Sequence, residues 1–199
     1  MKLYKICNKI SLLLHALCSA AGYFLIEAIS RHSFTDAWTY MTGKPLVFAY
    51  NAGLIFTTSL IVYLFRRRTF WRVLVSIFWL AIGITNGVIL TQRMTPFTVK
   101  DLSILDDGLT IVTNYLSTAQ IIMVAVGIVL AIGLLVLFFI KGPKKKGKVK
   151  WKRNLIAIAI VGLSTFGMTS FMINTGRVET FFGNLAYAYR DYGVVYCFV

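Results

Sequence analysis

"FWRVLVSIFWLAIGITNGVILT", residues 70–91, is 22 residues long and carries one charge, Arg72, close to its start. About 20 predominantly apolar residues in a helix cross the roughly 30 Å hydrocarbon core of a bilayer, so this stretch reads as a membrane span. Working outward, four more stretches meet the same test: about 10–30, 45–65, 119–140 and 154–174. The composition agrees, with 58% hydrophobic residues, 14% charged residues and a mean hydropathy of +0.74. Soluble domains carry about a quarter charged residues, so a soluble enzyme is excluded as a class. Because backbone polar groups in lipid must be satisfied within the protein, the five spans predict an all-α membrane protein rather than an open sheet.

Cations decide the orientation, since Lys and Arg near spans resist translocation. Lys2, Lys5, Lys9, the group Arg66, Arg67, Arg68 and Arg72, and the run from Lys141 to Arg153 place fifteen cations on one side. Only Arg31, Lys44, Arg93, Lys100, Arg177 and Arg190 fall on the other, together with most of the acids. The expectation is a multi-pass plasma-membrane protein with a cytoplasmic N-terminus and an extracellular C-terminus. The net charge of +14 is accounted for by these span-flanking groups, so nucleic acid is not an expected partner. The first apolar run is long for a cleaved signal peptide and reads as an uncleaved anchor. Cys7, Cys18 and Cys197 are scattered and read as free thiols.

Within the spans, small residues at four-residue spacing (Ala49, Gly53 and Thr57; Gly83 and Gly87; Gly127 and Ala131) suit close helix packing. His15, Asn51 and Asn86 are polar at membrane depth and are expected to bond between helices or face a wet cavity. Neither mid-span charges nor an internal repeat supports transport.

Downstream of the quoted span, Pro96 stops the helix near Arg93, and Thr98-x-x-Asp101 matches a helix N-cap pattern. Leu102, Leu105, Leu109, Val112 and Leu116 then recur at helical steps among polar residues, predicting an amphipathic helix over about 99–116 lying in the membrane plane on the outer side. Asn86 and Arg93 are seven apart on one helix face, and Lys100 follows. Asn86, Arg93 and Lys100 are therefore candidates to bind a lipid headgroup, the guanidinium fork suiting a phosphate. The other reading of Arg93 is snorkelling and pairing with Asp101, Asp106 or Asp107. Asp106 and Asp107 alone make a poor metal site. After the last span, Val178, Phe181, Phe182, Leu185 and Tyr189 suggest a second outer helix over 176–199, with Tyr187, Tyr189, Tyr192 and Tyr196 as an interfacial belt. The apolar ending "VVYCFV" predicts that a polypeptide continues outward.

Two strings, "NGVILTQRMTPFTVKDLSIL" (86–105) and "GNLAYAYRDYGVVYCF" (183–198), resemble the N-terminal membrane part of the lipoteichoic acid synthase-like phosphoglycerol transferases of the sulfatase superfamily, from Gram-positive bacteria. The resemblance covers essentially the whole chain and agrees in its five spans. It implies a transmembrane domain (1–175) and a juxtamembrane segment (176–199) leading to a catalytic domain absent from this chain. The parent enzyme would transfer glycerol phosphate from phosphatidylglycerol to a cell-envelope polymer or glycolipid, using a threonine nucleophile and a divalent metal, usually manganese, in that extracellular domain. The chain itself is expected to hold no catalytic residue and no cofactor. Its expected partners are membrane lipids, phosphatidylglycerol or a glycolipid, and the missing domain. Two other classes stay open: a small transporter or lipid flippase, and a non-enzymatic subunit of envelope assembly.

Overall fold

The computed structural model describes residues 11–91, 93–101, 117–142, 149–180 and 183–198. Among these residues all regular structure is helical: α1 (Ser11–Ser30), α2 (Phe34–Gly43), α3 (Pro45–Ser59), α4 (Arg68–Leu90), α5 (Thr118–Lys141), α6 (Trp151–Asn174), α7 (Leu185–Tyr192) and α8 (Val194–Phe198). Helix α3 continues as a 3-10 helix over Leu60–Leu64. Four helices are long and apolar enough to cross a membrane: Pro45–Leu64, Arg68–Leu90, Ile121–Lys141 and Trp151–Asn174. Such a set fits a multi-pass membrane protein. The fifth expected segment forms α1, of 20 residues.

Rods successive along the chain run antiparallel, whereas α1 and α4 pack side by side in the same direction. Ile26 and Ile29 of α1 face Gly83 and Gly87 near the end of α4, while His15 lies beside Phe56 and Tyr63 at the far end. Helices α3 and α6 meet through Tyr50 with Thr169, Thr57 with Thr165, and the Asn154 side chain donating to the Tyr63 carbonyl. Phe70 packs on Phe139, joining the start of α4 to the end of α5. The bundle thus has two ends. One gathers Arg66, Arg67, Arg68, Arg72 and Trp151, and is called here the arginine end. The other gathers the end of α1, α2, the 93–101 corner, α7 and α8, and is called the glutamate end for Glu27.

The small-residue pattern of α4 acts as expected. A Cβ on Gly83 would stand 3.0 Å from Ile26 Cγ2, and one on Gly87 would stand 3.0 Å from the Ile29 carbonyl oxygen. Only glycine lets the two backbones approach this closely. The pairs in α3 and α5 differ, because a Cβ on Gly53 or Gly127 would meet open space. Helix α5 exposes apolar side chains such as Val129 (68%) and Leu130 (63%), and α6 exposes Leu163 (72%). Surfaces this apolar suit lipid rather than water.

Three expectations are corrected locally. Residues 31–44, read as loop, contain α2, capped where Ser33 Oγ accepts the Asp36 N–H. The helix expected from Val178 onward starts only at Leu185, with Asn184 accepting the Ala186 N–H. Its upstream part is instead the turn that ends α6, where Gly176 has φ 65 and the N–H groups of Arg177 and Val178 donate to the Met172 carbonyl. The tyrosine belt is also reduced: Tyr187 is 57% exposed, but Tyr189 is buried. Tyr192 and Tyr196 pack against each other, and Tyr196 also packs on Tyr50. Most of the expected 99–116 helix, with Asp106 and Asp107, lies outside the described residues.

Candidate functional site: a polar clasp at the glutamate end

Glu27 is 0% exposed although it sits on α1 among apolar neighbours. A carboxylate removed from water needs a counter-charge and hydrogen bonds to every lone pair it presents. Arg31, one turn on, supplies the charge through Nε to Glu27 Oε2 at 2.8 Å. The second oxygen, Oε1, accepts the Val194 N–H at 2.9 Å, from a residue 167 positions away. Arg31 is itself sandwiched, its guanidinium carbon 4.3 Å from the Tyr40 ring centroid and 5.2 Å from that of Tyr189, and it donates to the Arg190 carbonyl. This arrangement draws α1, α2, α7 and α8 around one ion pair.

Gly193 closes the clasp. Its φ is 85, a left-handed geometry that favours glycine, and a Cβ there would run into the Tyr23 hydroxyl and approach the Tyr40 hydroxyl and Glu27 Oε1. Burial, and next the charge of Glu27, push the Tyr40 and Tyr189 phenols above the usual range, so both remain neutral. The Cys197 thiol is pushed up to about 12 by burial and by Glu27. Burial works to lower the Arg31 pKa, but the charge and hydrogen bond of Glu27 together with the Tyr189 and Tyr40 phenols prevail and raise it.

Asn51 on α3 makes a parallel contact. Its Nδ2 donates to the carbonyls of Val47 and Tyr192, and its Oδ1 accepts the Tyr196 N–H at 2.8 Å. Asn86 on α4 does the same for the next corner, its Oδ1 accepting the Phe97 N–H at 2.7 Å. Phe97 then stacks on Phe198, with ring centroids 5.6 Å apart. Thus Glu27, Asn51 and Asn86, one on each of three helices, all accept backbone N–H groups from the segments that cover the glutamate end. Of the polar residues expected to bond between helices, Asn51 does so, joining α3 to α7 and α8, whereas Asn86 binds the backbone of the 93–101 corner. His15 sits between aromatic rings, far from this site.

The candidate headgroup residues occupy different depths. Asn86 is fully buried. Arg93 turns back on its own corner, donating to the carbonyls of Thr95 and Pro96 and to Asp101 Oδ2 at 2.8 Å. Asp101 Oδ2 also accepts the N–H and hydroxyl of Thr98, which is the acid's half of the capping pattern read in the sequence. Burial works to raise the Asp101 pKa, but the bonds from Arg93 and Thr98 and the Arg93 charge together prevail and hold it below the usual carboxylate range. Pairing of Arg93 with Asp101 is therefore one of the two expected readings that the geometry contains. Lys100 lies exposed on the adjoining 3-10 turn.

A groove of about 340 Å³ beside the clasp is lined by Lys44, Pro45, Arg177, Asp191 and Tyr192 among others, and Lys44 Nζ pairs with Asp191 Oδ1 at 2.9 Å. Among the described residues no three His, Cys, Asp or Glu side chains stand together, so none of them fits a manganese site. Sequence reasoning passed over Glu27, Arg31, Tyr40 and Gly193. The available signal was an acid inside an apolar run with an arginine four residues later. Comparison with family models, with curated proteins and with solved structures finds no match to the chain.

Proposed function

We propose that this chain is the membrane anchor and lipid-presenting domain of a phosphoglycerol transferase resembling lipoteichoic acid synthase. In this reading α1 is a fifth span, the arginine end is cytoplasmic and the glutamate end is extracellular. The observation that carries the proposal is that the described residues of the two strings bearing the resemblance, 86–105 and 183–198, meet at one end of the bundle. Asn86 holds Phe97, Phe97 stacks on Phe198, and Glu27 and Asn51 hold the backbone of Val194 and Tyr196. A segment fixed at this many points is a mounting for a domain that must stand at a set height above lipid. Confining an enzyme to the plane of its lipid donor raises their effective mutual concentration, which is the value of such an anchor.

The donor would be phosphatidylglycerol and the acceptor a glycolipid or growing envelope polymer, with manganese and the threonine nucleophile belonging to the catalytic domain. Arg93 and Lys100 on the rim are the groups for a headgroup phosphate. The buried Asn86 would act on them only by fixing the 93–101 corner. Sequencing the gene past codon 199 tests the reading. An open frame of several hundred residues with a threonine and clustered metal ligands is expected, and an immediate stop codon overturns it. The 199-residue protein alone is expected to leave fluorescent phosphatidylglycerol intact in the presence of manganese. If Arg93→Ala binds phosphatidylglycerol as the parent does, the headgroup role fails while the anchor role stands.

A further inference from the structure

The arginine end contains a cleft of about 700 Å³ walled by Leu64, Phe65, Arg66, Arg67, Trp71 and Trp151. Its wall is held firmly: Phe65 stacks on Trp71 with centroids 3.9 Å apart, and Trp151 Nε1 donates to the Leu64 carbonyl at 2.9 Å. Arg66 and Arg67 line this cleft, and Arg68 and Arg72 stand at the same end of the bundle. Arg67 lies 4.2 Å over the Phe139 ring, and Arg68 and Arg72 lie 4.8 and 5.9 Å over the Tyr63 ring. Aromatic faces attract cations but accept no strong hydrogen bond. Arg67 Nη1, Arg68 Nε and Arg72 Nε are buried and have no hydrogen-bond partner among the described residues.

No carboxylate of this chain is positioned by sequence to answer them. The chain has no acid before Glu27, none between Asp36 and Asp101, and none between Asp107 and Glu179. Glu27 itself lies at the opposite end of α1. Helix α4 begins at Arg68, where the dipole is already positive and Arg67 makes no side-chain cap. Cations at this terminus therefore work against the helix they flank. Orientation of the spans needs only charge; it does not need forked donors fixed on aromatic faces around a cleft.

We propose that this cleft binds a phosphate group, presented as the phosphodiester of an anionic phospholipid in the leaflet at the arginine end. Guanidinium forks match phosphate oxygens, and the Leu64, Phe65, Trp71 and Trp151 wall matches the glycerol and upper acyl carbons. Soluble phosphate shares the first feature and lacks the second. This site is separate from the Arg93 rim and does not depend on the anchor reading.

The test uses the full 199-residue protein in phosphatidylcholine nanodiscs, titrated with dioctanoyl phosphatidylglycerol and followed by native mass spectrometry and thermal midpoint. Parent protein and Arg93→Ala are both expected to retain the anionic lipid in preference to dioctanoyl phosphatidylcholine. The double variant R67Q/R72Q is expected to bind it about tenfold more weakly or worse, the loss of at least one charge-assisted hydrogen bond. R67K/R72K keeps the charge and the fold but loses the forks, and is expected to bind weakly as well. If the lysine variant binds like the parent, diffuse charge suffices and the built site is overturned. Undiminished binding by R67Q/R72Q also overturns it, as does displacement of the lipid by an equal concentration of inorganic phosphate. Should the glutamine variant fail to fold, the lysine variant decides alone.

Discussion

Glu27 shows how one acid can organise the end of a bundle. Its two oxygens are committed, one to Arg31 and one to the Val194 N–H, so removing its charge leaves a part-buried guanidinium unanswered. Breaking one partner of a buried pair costs about 3–5 kcal/mol, whereas replacing both by apolar groups is often close to neutral. Glu27→Gln is therefore expected to lower the thermal midpoint strongly, and Glu27→Gln with Arg31→Met to recover part of the loss. Equal, additive losses in the double variant would show that the two residues do not act as a pair. Asp101 gives a pH dependence of definite sign. Its pKa is lowered in the folded protein, chiefly by Arg93 and Thr98 against the opposing effect of burial. Its stabilisation is then present above the ordinary carboxylate value of about 3.9 and is lost as pH falls through the lowered one. Arg93 is 39% exposed, so solvent screening keeps the effect below about 1 kcal/mol. Protection of the Thr98 amide from hydrogen exchange, taken relative to the intrinsic rate at each pH, should fall on acidification in the parent protein, and Asp101→Asn should be weakly protected at every pH.

At the scale of elements, the α1–α4 seam and the clasp respond to substitution differently. An added methyl at Gly83 or Gly87 presses on Ile26 or on the Ile29 carbonyl, and overpacking of this kind costs about 1–3 kcal/mol. Gly53→Ala meets open space and gains helix propensity, so it is expected to be neutral or stabilising by up to about 1 kcal/mol. Thermal midpoints of the three alanine variants separate seam from surface, and equal effects would contradict the packing. Element positions were legible because each span needs a long apolar run bounded by charge or proline, and those bounds lie within a few residues of α1, α3, α4, α5 and α6. The clasp was not legible. Its bonds join residues such as Glu27 and Val194, whose partnership depends on three-dimensional approach and leaves no periodic trace. The apolar spacing of 178–189 mimicked one helix because side chains in the Gly176 turn are buried for reasons of their own, Val178 at 1% exposure among them. Arg93 shows the middle case: the sequence named its possible partners, but only geometry brings Asp101 within 2.8 Å.

In the whole molecule the long rods alternate in direction along the chain, and the two ends of the bundle differ in chemistry. Along α4 alone, Arg72 and Gly87 are about 22 Å apart at 1.5 Å per residue, so the guanidinium cleft and the clasp lie toward opposite faces of any bilayer the bundle crosses. The proposed orientation puts the cleft inside, because the cations that flank spans on that side outnumber those on the other by fifteen to six. Native Cys197 cannot report on this. It is buried, and with its thiol pushed up to about 12 it presents almost no thiolate, the form that reacts with maleimide. Met94, 86% exposed in the corner beside Arg93, is a better position at the glutamate end, and the exposed Lys152 serves at the arginine end. Neither substitution touches a clasp residue, and losing Lys152 still leaves fourteen cations against six. In intact cells a membrane-impermeant maleimide is expected to label Met94→Cys and to spare Lys152→Cys, with the second site becoming reactive only after permeabilisation. The reverse pattern would invert the molecule, placing the clasped 183–198 segment in the cytoplasm, where no extracellular transferase domain could be mounted on it. Labelling of both sites without permeabilisation would mean that the rods joining the two ends do not cross the membrane an odd number of times.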